Sequence, residues 1–181
     1  MRGGGTKKFI INTTGRVGIG TTNPEHTLDV AGSIRVADDV ILAGADCAEE
    51  FDLDADDILE PGTVMVIGPE RRLQHCAQPY DRRVVGIVSG TGDRRPGIVL
   101  GRSRSPSEKA RVPLALTGTV WCNVDATTAS IEVGDLLTTS SRPGHAMRAS
   151  DASRSFGAVV GKAMEGWASG VGSIPVFATL H

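Results

Sequence analysis

Short runs in which apolar and polar positions alternate fill the first quarter of the chain, and none has a helical period. Val17 and Ile19 alternate with glycines, Leu28 and Val30 flank Asp29, and Ile34 and Val36 flank Arg35. Period two over so few residues predicts short strands. Asn23-Pro24 and Gly32 punctuate them as turns do. Phe9 to Asn12 is a further strand candidate, and Val40 to Ala43 closes the series. Runs this short bury too little to fold alone, because an isolated hairpin is marginal in water. Residues 1–45 are therefore expected to need other chains, as an assembled β-stalk does.

A second pattern begins at residue 60. Glu60-Pro-Gly-Thr-Val-Met-Val66 resembles Glu132-Val-Gly-Asp-Leu-Leu-Thr138, an offset of 72 (132 minus 60). Val84-Val-Gly-Ile-Val88 resembles Val159-Val-Gly-Lys-Ala163, an offset of 75 (161 minus 86). Leu73 to Ala77 and Ala146 to Ala149 sit in corresponding places between them. Each copy reads as strand, turn, strand, loop, strand. Gly62 and Gly134 suit a tight turn, and Gly86 and Gly161 interrupt buried strands, where glycine marks a bulge or a close backbone approach. The fold class expected is all-β. Residues 46–181 read as one internally duplicated domain, barrel-like or sandwich-like, with units over about 60–90 and 132–163.

Around those units, Pro113 to Val124 predicts a hairpin turning at Thr117-Gly118. A short helix over 151–156 is expected, capped by Ser150 or Asp151, and Ile174 to Leu180 forms a last strand. Arg94 to Gly97 and Gly101 to Lys109 read as a polar, basic linker loop. The acidic run from Glu49 to Glu60 reads as a solvated face or loop.

Composition supports strands over helices: of 181 residues 23 are glycine, 40% are apolar and only 4% aromatic, a mixture that favours β-structure with many turns. A net charge of -2 gives no footprint for nucleic acid. Cys47, Cys76 and Cys122 are too few and too odd in number for a disulfide framework, and fit a reducing compartment at synthesis. The N-terminus lacks the apolar run of a signal peptide, and no segment reaches the roughly 18 apolar residues of a membrane span. Synthesis in the cytoplasm without a signal peptide and no membrane insertion are expected.

Familiar catalytic signatures do not fit. Gly18-Ile-Gly20 lacks the third glycine and following helix of a dinucleotide loop, and Pro24 stops a helix there. His26, His75, His145 and His181 lie far apart in sequence, and the adjacent His75-Cys76 pair is poor spacing for one metal. No metal and no cofactor are expected. One constellation stands out: Asp46, Glu49 and Glu50 beside Cys47-Ala48, between the two patterns. One expectation is that these acids are simply spread over the surface; the other is that in a three-fold assembly copies of this segment converge near the axis and bring their carboxylates close. Close carboxylates do not all ionise cheaply, so one holds a proton near neutral pH. A protonated acid beside an ionised one is equipment for hydrolysis.

The chain resembles the C-terminal part of phage tail fibres and neck appendages. Val17-Gly-Ile-Gly-Thr21, Pro24, Leu28-Asp-Val30 and Gly32-Ser-Ile34 resemble the collar ahead of their terminal domain. Asp46-Cys-Ala-Glu49, with Glu50-Phe51, resembles the Asp-aromatic-Ala-Glu motif that opens their intramolecular chaperone domain with autoproteolytic cleavage. Arg83 to Ser89 resembles a later strand of it. The resemblance implies a homotrimer in which residues 1–45 form an intertwined β-collar and residues 46–181 align the chains. It also implies self-cleavage between Ala45 and Asp46, with Asp46 and Glu49 as the catalytic acids. Two positions depart from the pattern: Cys47 replaces the aromatic residue, and Ala45 replaces a small hydroxyl residue. A chaperone makes physical sense, because intertwined strands have weakly specified register and slow, non-local closure.

Three functional readings follow. The leading one is a structural homotrimeric component of a phage tail fibre or phage-like appendage, working in a virion or an extracellular particle against an appendage or baseplate protein. The second is an enzyme of a single turnover, an acidic self-cleaving peptidase. The third is a glycan- or receptor-binding tip that uses Arg94, Arg95, Arg102 and Arg104, or Trp121 and Trp167, on a surface glycan.

Overall fold

The structure, a computed structural model, describes residues 9–42, 44, 46–53, 59–90, 96–101 and 110–179. The chain divides into two units, Met1–Ile41 and Leu42–His181.

The first unit is a small sheet of β1 (Phe9–Ile11), β2 (Val17–Ile19) and β3 (Leu28–Val30). β1 pairs antiparallel with β2, and β2 pairs parallel with β3. Asn12 shapes the β1–β2 turn, its Oδ1 accepting from the backbone amides of Thr14 and Arg16 at 3.0 and 2.9 Å. Two expected strands do not form: Ile34 to Val36 and Val40 to Leu42 are irregular and exposed, and Ala43 lies outside the described residues. A strand needs a neighbour to satisfy its amides and carbonyls, and none is bonded to these runs among the described residues.

Among its described residues the second unit is mainly β-strand, with one 3-10 turn (Pro69–Arg71) and one short α-helix. Its strands are β4 (Asp46–Asp52), β5 (Val64–Ile67), β6 (Leu73–His75), β7 (Val84–Val88), β8 (Ile98–Leu100), β9 (Arg111–Ala126), β10 (Leu136–Thr139), β11 (Ala146–Arg148), β12 (Val159–Ala163) and β13 (Gly170–Ala178). The ring β11-β10-β12-β13-β9 closes on itself because β11 also pairs with β9, giving a five-stranded barrel filled by residues such as Val120, Cys122, Leu137, Val160 and Val176. From β9 the sheet continues through β7 and β5 to β6, with β4 branching from β9 and β8 pairing with β4. A second cluster (Leu53, Met65, Leu73, Val88, Val112, Leu114) fills the space on that side.

The hairpins β5–β6–β7 and β10–β11–β12 have the same pairing and the same irregularity. In each, the first strand pairs antiparallel with both others, and the register slips at Met65/Val66 and at Leu137/Thr138. Gly86 lies opposite Met65 and Gly161 opposite Leu137. The entry turns match too: Gly62 and Gly134 have φ of +91° and +92°, and each amide donates at 2.8 Å, to Val88 O and Ala163 O respectively.

Three further expectations are corrected. Pro113 to Val124 is not a hairpin: β9 runs unbroken for 16 residues. Gly118, with φ of +107°, bends the strand where its partners change. Gly118 stands opposite both Asp46 of β4 and Ala178 of β13, so both neighbours hold it in the ladder and no turn forms. The acidic run is not all loop, because Glu49, Glu50 and Asp52 are strand residues of β4. The linker region contains β8, pinned in parallel to Cys47, Ala48 and Glu49. The helix α1 (Ala152–Ser155) is as expected, Asp151 Oδ1 accepting from Ser153 N at 2.9 Å.

Candidate functional site

The Asp-Cys-Ala-Glu motif opens β4, laid along β9 with Asp46 opposite Gly118 and Glu49 opposite Leu114. An extended strand alternates its faces. Asp46, Ala48, Glu50 and Asp52 therefore project one way, and Cys47, Glu49 and Phe51 the other. Asp46 and Glu49, three residues apart, are not brought to one side of the sheet within a single chain. Asp46 is buried, and its Oδ2 has no hydrogen-bond partner among the described residues. A buried polar atom left unpaired costs about 1–3 kcal/mol. Glu49 is half-buried and leans over Gly101 at the end of β8.

The chain around the motif is tightly clasped. Gly97 donates its amide to Asp46 O at 2.8 Å. A Cβ on Gly44 would fall on the Gly97 backbone, and one on Gly97 would stand 3.0 Å from Gly44 O and 3.3 Å from Asp46 O. The two glycines thus permit a backbone crossing beside the junction that precedes Asp46. At the other end of β4, Arg111 forks onto Asp52 Oδ1 at 3.0 Å and Glu50 Oε2 at 3.2 Å, and also reaches Glu50 O at 3.2 Å. Glu50 is therefore a partner of Arg111, which leaves Asp46 and Glu49 as the carboxylates of the motif without a bound cation among the described residues.

The other singled-out residues are placed as follows. Ala45, Arg94, Arg95, Arg102 and Arg104 lie outside the described residues. Trp121 is a half-buried residue of β9, and Trp167 packs against the core and over Gly172. Cys76 and Cys122 are buried thiols and Cys47 a half-buried one. Burial pushes the Cys76 thiol up to about 11 and Cys122 higher still. Neither is a thiolate nucleophile at neutral pH. Among the described residues no group of three histidine, cysteine or acidic side chains is placed to hold a metal ion, and no helix is long and apolar enough to cross a membrane. Sequence reasoning missed one grouping: His75 and His145 line the same cleft, although 70 positions (145 minus 75) separate them.

Against solved structures, the chain is similar to the pre-mature form of gene product 12 of bacteriophage phi29. The TM-score is 0.59 at 14% identity, over 82% of this chain and 24% of that chain. The chain thus spans about a quarter of that protein's length. It is also similar to the C-terminal fragment of the same phage protein, with a TM-score of 0.50 at 15% identity, over 74% of this chain and 100% of that fragment. No protein-family model and no curated protein matches the sequence. At these identities the shared property is the fold, and it extends over the whole of that C-terminal fragment. The chain therefore has a fold that, over most of its length, a phage protein also uses.

Proposed function

We propose that the chain is a homotrimeric component of a phage tail fibre or phage-like appendage, and that its second unit aligns the three chains. One observation carries the reading: residues 9–41 hold a row of apolar side chains that a single chain leaves in water. Phe9, Ile11, Ile19, Leu28, Ile34, Val36, Val40 and Ile41 are all exposed, from 42% at Ile19 to 93% at Ile41. Contiguous exposed apolar surface marks an interaction site, and three-residue strands gain stability only with further strands beside them. Copies of the same segment supply both. The fold likeness to a phage protein supports the choice of assembly, and supports a site of action in a virion or phage-like particle.

Native mass spectrometry of the freshly purified protein tests this. The expected species is a complex of three 18.9 kDa chains; a monomer at micromolar concentration overturns the proposal.

Self-cleavage at Ala45-Asp46 is the second reading, favoured by the buried Asp46 carboxylate with its unpartnered Oδ2. Because Asp46 and Glu49 face opposite ways in one chain, the reading requires Glu49 of one chain to act on the junction of another. It predicts fragments split before Asp46 that are absent in Glu49→Gln. An unsplit chain in the assembled wild-type protein removes it.

A further inference from the structure

The two hairpin repeats meet in a cleft of about 260 Å³, lined by Leu59, Glu60, Thr63, His75, Asn123, Pro143, Gly144 and His145. Its floor is rigid. Gly144 accepts from Val64 N at 2.9 Å and donates to Cys76 O at 2.8 Å, inserting the 143–145 loop between β5 and the end of β6. The Cys76 thiol donates to His145 O at 3.2 Å from below. Gly144 has φ of +72°, and a Cβ there would stand 2.9 Å from Thr63 Cγ2 and 3.9 Å from His75 Cβ. That close seating brings His75 and His145 to one opening.

The polar groups at this opening are only partly matched by protein partners among the described residues. Thr63 spends its hydroxyl on Glu60 O at 2.7 Å. His145 Nδ1 lies 2.7 Å from Pro143 O, which assigns its proton there and leaves Nε2 free to accept. Among the described residues the side chains of Glu60, His75 and Asn123 form no hydrogen bond. The set is one carboxylate, two imidazoles and one carboxamide, with Leu59 and Pro143 as apolar neighbours. Among the described residues no lysine or arginine lines the cleft, so there an anion would meet the Glu60 charge uncompensated. Among the described residues no group of three donors is placed to hold a metal ion. Hydroxyl groups, each donating and accepting, suit such a mixed set. The volume falls just under the ~300 Å³ at which sites for drug-sized ligands begin, which suits one ring.

We propose that this cleft binds a single neutral pyranose ring, with its hydroxyls on Glu60, His75, Asn123 and His145 and a C–H face on Leu59 and Pro143. The site lies within one chain and does not depend on the assembly proposed above.

The test is saturation-transfer NMR and calorimetry on the full chain, with the methyl glycosides of glucose, galactose, mannose and N-acetylglucosamine as probes. At least one glycoside is expected to receive saturation from the protein. Its affinity should fall about tenfold or more in His75→Ala and in Asn123→Ala, the loss of one or two hydrogen bonds. His75 is exposed, so that variant keeps its fold. Equal binding by wild type and both variants overturns the proposal, as does no transfer to any of the four glycosides. So does displacement of the glycoside by inorganic phosphate or acetate, which would make the cleft an anion site.

Discussion

Replacing Gly86 with alanine tests the bulge at the centre of the first repeat. Gly86 has φ of +146°, and a Cβ there would stand 2.6 Å from Ala115 O and 3.0 Å from Leu114 Cγ. The first fact adds backbone strain of about 1–3 kcal/mol. The second forces β7 away from β9 in a packed layer, an overpacking cost of about 1–3 kcal/mol. Together they predict a loss of about 4 kcal/mol, and with about 2–4 °C per kcal/mol for a chain of this size a fall of about 8–16 °C in Tm. Two comparisons separate the terms. Gly161, the matching position, has no positive φ, yet a Cβ there would stand 2.6 Å from Phe177 O and 2.7 Å from Val176 Cγ1; Gly161→Ala should cost the packing term alone, about 1–3 kcal/mol. Gly157 has φ of +75° and open space for a Cβ. There the left-handed conformation costs alanine about 1–2 kcal/mol, partly offset by a less flexible unfolded chain. The assay is urea unfolding followed by circular dichroism and tryptophan fluorescence, at one protein concentration because assembly would make stability concentration-dependent. The expected order of destabilisation is Gly86→Ala, then Gly161→Ala, then Gly157→Ala. A Gly86→Ala protein no less stable than Gly157→Ala would refute the reasoning.

Two further outcomes follow from buried titratable groups. The Arg83 side chain, bonded at 2.6 and 3.0 Å, holds the Asp81 carboxyl below its usual range, and Thr127, with Ser140, does the same for Asp125. A depressed folded pKa gives stability that is present above the unfolded value near about 3.9 and lost as pH falls through the folded one. The urea midpoint should therefore hold from about pH 7 to about pH 5 and drop below about pH 4, less steeply in Asp81→Asn, and an identical acid limb in that variant would disprove the assignment. Cys76 and Cys122, raised by burial, should resist an aromatic disulfide reagent at mildly alkaline pH and react only in urea. Mass spectrometry of the labelled peptides decides it, and labelling of Cys76 in the native protein as fast as in the unfolded one would count against the buried placement.

Local features were legible in the sequence wherever one residue decides them. The turn glycines Gly62 and Gly134 and the bulge glycines Gly86 and Gly161 occupy equivalent places in their hairpins, since only a residue without Cβ fits them. Asp151 capped its helix as its side-chain chemistry requires. Features set by a distant partner were not legible. Thr117-Gly118 has turn chemistry, yet the strands β4 and β13 on either side keep it extended. Ile98 to Leu100 reads as linker until its pairing with Cys47 to Glu49 is known. Ile34 to Val36 has strand period but finds no partner among the described residues, and period alone does not supply one. The strand face of Asp46 and Glu49 follows from their spacing alone, and a motif read as a cluster of acids conceals it.

The two similar hairpins differ in what surrounds their entry turns. Gly62 and Gly134 enter their hairpins with nearly the same φ, but their surroundings differ. A Cβ on Gly62 would stand 2.9 Å from Asn123 Oδ1, whereas one on Gly134 would meet nothing within 4 Å among the described residues. The difference originates in β9. Its residue Asn123 donates its amide to Gly62 O at 2.9 Å, tying the first turn to the wall that both repeats share. The barrel ring then carries the 143–145 loop of the second repeat back over the first, because β11 pairs with β9 at Val124, one residue from Asn123. His145 therefore meets His75 through a single long strand, and the second entry turn stays open to solvent. The two hairpins supply the wall elements, and β9, which belongs to neither hairpin, makes their surroundings differ.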